Sequence, residues 1–199
     1  MENTSSVPII PLVAAGIPVL IIIWAIITMN RLTQLRNLLR ESWSDIDIQL
    51  RRRHDLIPNL VETVRGYAAH ESSVLENVMQ ARAAAMVATK SPVAQLAVES
   101  SVVSALNGMF AVVEGYPRLK ASAQFIALQQ ELANTEDRIA AARRFYNANV
   151  RDYNTLCGSF PSSLIAGMRG LSPIPFLELD TVNARQAPQI NLSSLQGNP

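Results

Sequence analysis

The stretch FIALQQELANTEDRIAAARRFYNANVRDYNTL, Phe125 to Leu156, contains neither Gly nor Pro and is dense in Ala, Leu, Arg, Gln and Glu, residues that cost little in a helix. Within it Phe125, Leu128, Leu132, Thr135, Ile139, Ala142, Tyr146, Asn149, Tyr153 and Leu156 advance in alternating steps of three and four. That is a seven-residue repeat with one face turned to a partner. A second such face lies upstream, where Leu32, Leu35, Leu39, Trp43, Ile46, Leu50, Ile57, Leu60, Val64 and Tyr67 advance in steps of three, four or seven. No stretch alternates strictly between apolar and polar residues, so the spacing predicts an all-α body.

Punctuation divides that body. Gly66 with the following Tyr67–Ser72 can end one helix and start another, Ser91-Pro92 reads as a cap with Pro at the first helical position, and Gly115-Tyr116-Pro117 marks a third break. The pieces 30–65, 71–90, 93–114 and 119–156 would be about 54, 30, 33 and 57 Å long at 1.5 Å per residue. Long, short, short, long with short connections predicts an up-and-down four-helix bundle. One pattern opposes the first break: Val64 and Tyr67 continue into Glu71, Val74 and Val78 at heptad spacing, as if the first two helices were one rod of about 90 Å. Pro58 adds a possible bend.

The body is preceded by a run of another kind. Between Glu2 and Arg31 there is no charged residue, and Ile9 to Met29 is almost wholly apolar. About 20 such residues cross a hydrocarbon core of about 30 Å. A buried core helix would show a polar face, and a cleaved signal would show a basic start, a shorter apolar stretch and a small-residue cleavage pattern. A retained transmembrane helix is expected, held by Ile21, Ile22, Ile23, Trp24, Ile26 and Ile27, with a distortion at Pro18. Arg31, Arg36 and Arg40 follow the span, and the tail before it has no Lys or Arg. This predicts an outside N-terminus, a cytoplasmic body at an inner membrane, and three arginines placed for lipid head groups. The organisation expected is a short tail (1–8), the span (9–29), the bundle (30–157) and an amphipathic turn with a flexible tail (158–199). In that last part Phe160, Leu164, Ile165, Met168 and Phe176 either meet the bilayer or cover the open end of the bundle.

Charge and cysteine content exclude several classes. The 17 Lys+Arg and 16 Asp+Glu nearly cancel, leaving no basic excess for nucleic acid. One Cys forms no intrachain disulfide, and Cys157 with two His makes no four-ligand zinc site without carboxylates. Position 51 before His54 is Arg and position 67 before His70 is Tyr, so the Glu-x-x-His pairs of di-iron bundles are missing. His70-Glu71 begins like H-E-x-x-H, but Val74 stands where the second ligand belongs. There is no nucleophile elbow, phosphate loop or dinucleotide fingerprint. No catalytic residue, metal or cofactor is expected.

The densest polar cluster runs from Ser44 to Asp55. Most of it reads as a solvated helix face with pairs such as Asp47 and Arg51. Arg53, however, continues the seam of Leu39 and Ile46, and Asn149 occupies a seam position in the last long helix. Polar residues at a seam cost stability unless paired and are best known for fixing register. Arg53, His54, Asp55 and Asn149 are therefore the candidate polar seam, with Glu131, Glu136 or Asp137 as the partner of Arg53. Leu38, Ile48, Leu56 and Val61 widen the apolar face of the first helix beyond what one partner covers, which makes them the candidate interaction surface.

Longer signatures carry a family resemblance: Ser42-Trp43-Ser44-Asp45-Ile46-Asp47, Arg52 to Val64, Gly66-Tyr67-Ala68-Ala69-His70-Glu71, Glu114-Gly115-Tyr116-Pro117-Arg118-Leu119-Lys120, and Leu132 to Ala140 with Arg143 and Tyr146-Asn147. Over about residues 15–170 the chain resembles the LemA family of bacterial membrane proteins, and the tail after Arg169 departs from it. The resemblance implies a single-span anchor, an outside N-terminus and a cytoplasmic up-and-down bundle, brings no established catalytic activity, and links relatives to membrane organisation, including one on magnetosome membranes. The function expected is a non-enzymatic membrane scaffold whose partners are the bilayer, further copies of itself and other proteins. The alternative is a membrane-bound sensor or enzyme accessory using a polar site at Arg53, His54 and Asp55.

Overall fold

The computed structural model describes residues 9–87 and 91–177; the expected N-terminal tail, positions 88–90 and the tail from residue 178 on lie outside them. The described residues are all-helical, in the order α1 (Ile9–Arg65), α2 (Ser72–Ala85), α3 (Pro92–Val113), α4 (Pro117–Lys120), α5 (Ala123–Gly158) and α6 (Ser162–Met168). The boundary expected at residues 29 and 30 falls inside α1, so the apolar run passes into the body without a turn. Over its first part α1 is long and apolar enough to cross a membrane. Its side chains there, Ile21, Ile22, Ile23, Ile26 and Ile27 among them, are exposed, while Trp24 is half-buried.

α1 and α5 run antiparallel along the two repeating faces. Asn149 donates from Nδ2 to Ser42 Oγ at 3.2 Å, and Trp43 meets Tyr146 edge-on with ring centroids 6.3 Å apart. Ser42 in turn donates to the Leu38 carbonyl at 2.6 Å, so the buried Asn–Ser pair is satisfied along one line and sets the register. The hairpin of α2 and α3 covers only the half of this pair remote from the apolar run. Two cores result. Ile57, Leu60, Val61 and Val64 meet α2, α3, α4 and the start of α5 in a four-helix bundle. Leu32, Leu39, Ile46 and Leu50 meet Ile139, Tyr146, Val150 and Tyr153 in a two-helix stalk.

The single rod is not formed. α1 ends at Arg65, the Ala68 amide bonds back to the Val64 carbonyl at 2.9 Å, and α2 starts at Ser72. Tyr67, expected on the seam, is exposed at this turn. Ser91 caps α3 by accepting from the Ala94 amide at 3.2 Å with Pro92 at the first position. Pro58 lies within α1 and its missing N–H is used. The carbonyl it would have bonded, that of His54, instead accepts from Arg82 Nε of α2 at 2.7 Å, which docks the hairpin onto α1.

Of the tail expected to be flexible, the extended part up to Leu177 is fastened to α5. Asn154 gives and takes a backbone bond with Ile174, both at 2.8 Å, and Asn147 does the same with Leu177 at 2.9 and 2.8 Å. The two asparagines are one heptad apart, about 10.5 Å along α5. Three residues of extended, proline-containing chain span about 9 Å, so a Pro-rich strap fits the helix repeat. Leu177 is buried, and Leu171 and Ile174 pack on the stalk core.

Candidate functional site at the junction of stalk and bundle

The two cores are separated by a layer of buried polar residues. Arg53 is 2 % exposed and projects from α1 toward α3 and α5. Its Nη1 donates to Glu136 Oε1 at 2.8 Å, and its Nη2 forms an ion pair with Glu99 of α3. Glu99, 3 % exposed, also accepts from Gln95 Nε2 at 2.9 Å and from His54 Nε2, which lies 3.2 and 3.1 Å from its two oxygens. Gln95 reaches on to the Ala85 carbonyl at the end of α2 at 2.9 Å, so the layer ties α1, α2, α3 and α5 together.

Electrostatics agree with the geometry. Burial alone would push the Glu99 carboxyl up, but the His54 hydrogen bond, the Arg53 charge and the Gln95 amide together hold it below the ordinary carboxylate range. An ionised carboxylate only accepts, so the His54 nitrogen facing it carries hydrogen. The carboxylate is saturated by donors, which makes it a structural counter-ion rather than a free base. Arg53 Nε, by contrast, is buried with no hydrogen-bond partner among the described residues.

A cleft of about 1040 Å³ opens between α3 and α5 at this level. Arg53, Glu99 and Glu136 lie in its polar lining, Leu50, Leu96, Val103 and Ile139 in its apolar walls, and Pro175 to Leu177 of the strap at one end.

The expected site residues are partly gathered. Arg53 and His54 share the layer, and Glu136 is the partner of Arg53, whereas Glu131 pairs with Arg52. Asp55 is exposed on the far side of α1, and Asn149 belongs to the stalk, where it meets Ser42. Of the expected interaction surface Ile48 is exposed and Leu38 and Leu56 are half-buried, but Val61 is a core residue of the bundle, because a 100° step per residue carries it onto the face covered by α2. Arg31, Arg36 and Arg40 are all exposed on α1. Glu99 and Gln95 were missed. The signal was present, since Glu99 is the one charged residue between Lys90 and Glu114, and a lone carboxylate in an apolar helix needs a partner.

The sequence matches the LemA family over residues 42–192. The chain belongs to the LemA family. The match reaches through the strap to residue 192, which corrects the expectation that everything after Arg169 departs from the family. Among LemA-family relatives, the magnetosome protein MamQ of Magnetospirillum gryphiswaldense is 24 % identical, with 67 % of this chain and 58 % of that protein covered. Magnetosome protein MamQ 2 of Paramagnetospirillum magneticum is 25 % identical, covering 76 % of this chain and 63 % of that one. Protein LemA of Metamycoplasma hominis is 29 % identical, covering 69 % and 63 %. The chain thus spans about three fifths of the length of these relatives. Such relatives and the apolar start of α1 together suggest membrane association.

Proposed function

We propose that this LemA-family protein is a non-enzymatic scaffold held in the bacterial inner membrane by one span, with its N-terminus outside and its body in the cytoplasm, self-associating and docking partners to organise the membrane. The observation that carries the reading is the continuity of α1, which leads from exposed isoleucines straight into a bundle whose central carboxylate is saturated by its own neighbours. The buried Glu99 is held as a counter-ion by Arg53, His54 and Gln95, whereas Ile48 and the flanks of Leu38 and Leu56 face outward. The magnetosome relatives fit a role in membrane organisation. Cross-linking and mass measurement of the full chain in mild detergent are expected to give assemblies larger than the monomer. A monomer with no partner recovered would overturn the reading. A reporter active only in the cytoplasm, fused after Pro199, is expected to be active.

The cleft beside Arg53 favours a second reading, a sensor whose ligand meets the buried guanidinium. Under that reading His54→Ala changes the phenotype of the protein without changing its amount in the membrane; under the scaffold reading it acts only through stability.

A further inference from the structure

The register of α1 against α5 fixes what lies at the level of the membrane surface. Ser42 opposite Asn149 and Trp43 opposite Tyr146 place the end of α5, Gly158, near Leu32, about one turn past Met29. The chain then turns through Phe160 into α6, which lies against both α1 and α5. The inner side of α6 is settled, since Ser162 and Ala166 are buried and Ile165 packs on the stalk. Its outer side is not: Leu164, 59 % exposed, and Met168, 85 %, lie four residues apart on α6, and Phe160, just before the helix, is 82 % exposed.

Beside these side chains is a pocket of about 150 Å³. One wall is a single face of α1 that passes from apolar Met29 and Leu32 to Thr33, Arg36, Asn37 and Arg40; the other is Arg169, just past the end of α6, with Leu171. No carboxylate lines it, and among the described residues none of the three arginines forms an ion pair. Arg36 is seven residues beyond Met29, about 10.5 Å along the axis. Helical side chains lean toward the N-terminus, here toward the bilayer, whose polar layer is about 5–8 Å deep on each side.

We propose that this pocket binds the phosphate of an anionic phospholipid, while Phe160, Leu164 and Met168 enter the same leaflet beside it. The assignment rests on the reading of α1 as a span, which sets where the surface lies. Charge complementarity selects the ligand: three guanidiniums without a counter-ion favour a head group of net negative charge over a zwitterion. Continuity selects the source, because the apolar end of the pocket faces the lipid-exposed part of α1. α6 then acts as a foot that fixes the stalk at a second point on the membrane.

The test is native mass spectrometry of the full chain in detergent, titrated separately with phosphatidylglycerol, phosphatidylcholine and inorganic phosphate. Phosphatidylglycerol is expected to be retained in preference to phosphatidylcholine, and Arg40→Gln or Arg169→Gln is expected to weaken that preference about fivefold each. Both are exposed surface changes, and an unchanged circular dichroism melt shows that the variants are folded. Equal retention of the two lipids, or no effect of either substitution, overturns the site. Displacement of the lipid by equimolar inorganic phosphate shows a free-phosphate site and overturns the lipid assignment. Resistance to alkaline extraction from vesicles reports on the span separately, so its failure is distinguishable from failure of the pocket.

Discussion

Arg53 of α1 and Glu99 of α3, 46 residues apart in sequence, form an ion pair in which each side chain is almost wholly removed from water. The pair lies between the core of the stalk, to which α6 and the strap are added, and the core of the four-helix bundle. A charged pair in such a place contributes specificity more surely than net stability, since desolvation offsets much of the attraction. Breaking it is another matter, because the remaining charge stays buried with only Glu136, or only His54 and Gln95, to compensate it.

Removing one partner is therefore expected to cost far more than removing both. Arg53→Met or Glu99→Leu alone should destabilise the chain by about 3–5 kcal/mol, and the double variant should recover most of that loss. Urea unfolding in mild detergent, followed by circular dichroism, measures the cycle. Additive losses would show that the two residues are not coupled.

The depressed pKa of Glu99 gives a pH dependence of definite sign. Its folded pKa lies below its unfolded value near 4.3, so the stabilisation is fully present above that value and is lost as pH falls through the folded pKa. The slope of stability against pH below about 4.5 should be shallower in Glu99→Gln than in the parent chain. Parallel slopes would mean that other carboxylates carry the acid sensitivity.

Arg82 and Pro58 should be coupled through the His54 carbonyl they share. Arg82→Ala strands that carbonyl and is expected to cost about 1–3 kcal/mol. In a Pro58→Ala background the restored N–H can reach the same carbonyl, and the cost of Arg82→Ala should fall by more than half. Unfolding curves of the four proteins decide it.

The strap is held by side-chain amides, so it should be released by their removal. Asn154→Ala deletes two bonds to Ile174, and Asn147→Ala two to Leu177, each change worth about 1–3 kcal/mol locally. Hydrogen exchange at the Ile174 amide should quicken in Asn154→Ala while the α5 core stays protected. Exchange that is unchanged would show that apolar packing alone keeps the strap down.

What the sequence made legible follows the range of the interactions. The seam from Phe125 to Leu156 and the caps at Ser91-Pro92 are local patterns, and both stand in the structure. The break at Gly66 was ambiguous because the heptad register runs across it, and only the turn bonds from Ala68 to Val64 resolve it. Arg53 could be recognised as needing a partner, and Glu136 was among the candidates, but the α2–α3 hairpin that delivers Glu99 is a matter of tertiary packing. The strap was harder to read: Leu171, Ile174 and Leu177 recur every third residue, but over only seven residues, and the asparagine amides that hold its backbone lie on another element. Val61 sits next to Leu60 and was placed outside on the assumption of a single partner helix, whereas the bundle covers two sides of α1.

One consequence of the unbroken α1 is mechanical. From residue 30 to residue 65 the helix extends about 54 Å, so, with its apolar first part in a bilayer as proposed, a 10° tilt of that part would swing its far end sideways by about 9 Å. A local change in bilayer thickness or curvature, sensed only by the first turns of the helix, would thus be delivered to the bundle as a displacement roughly the diameter of a helix.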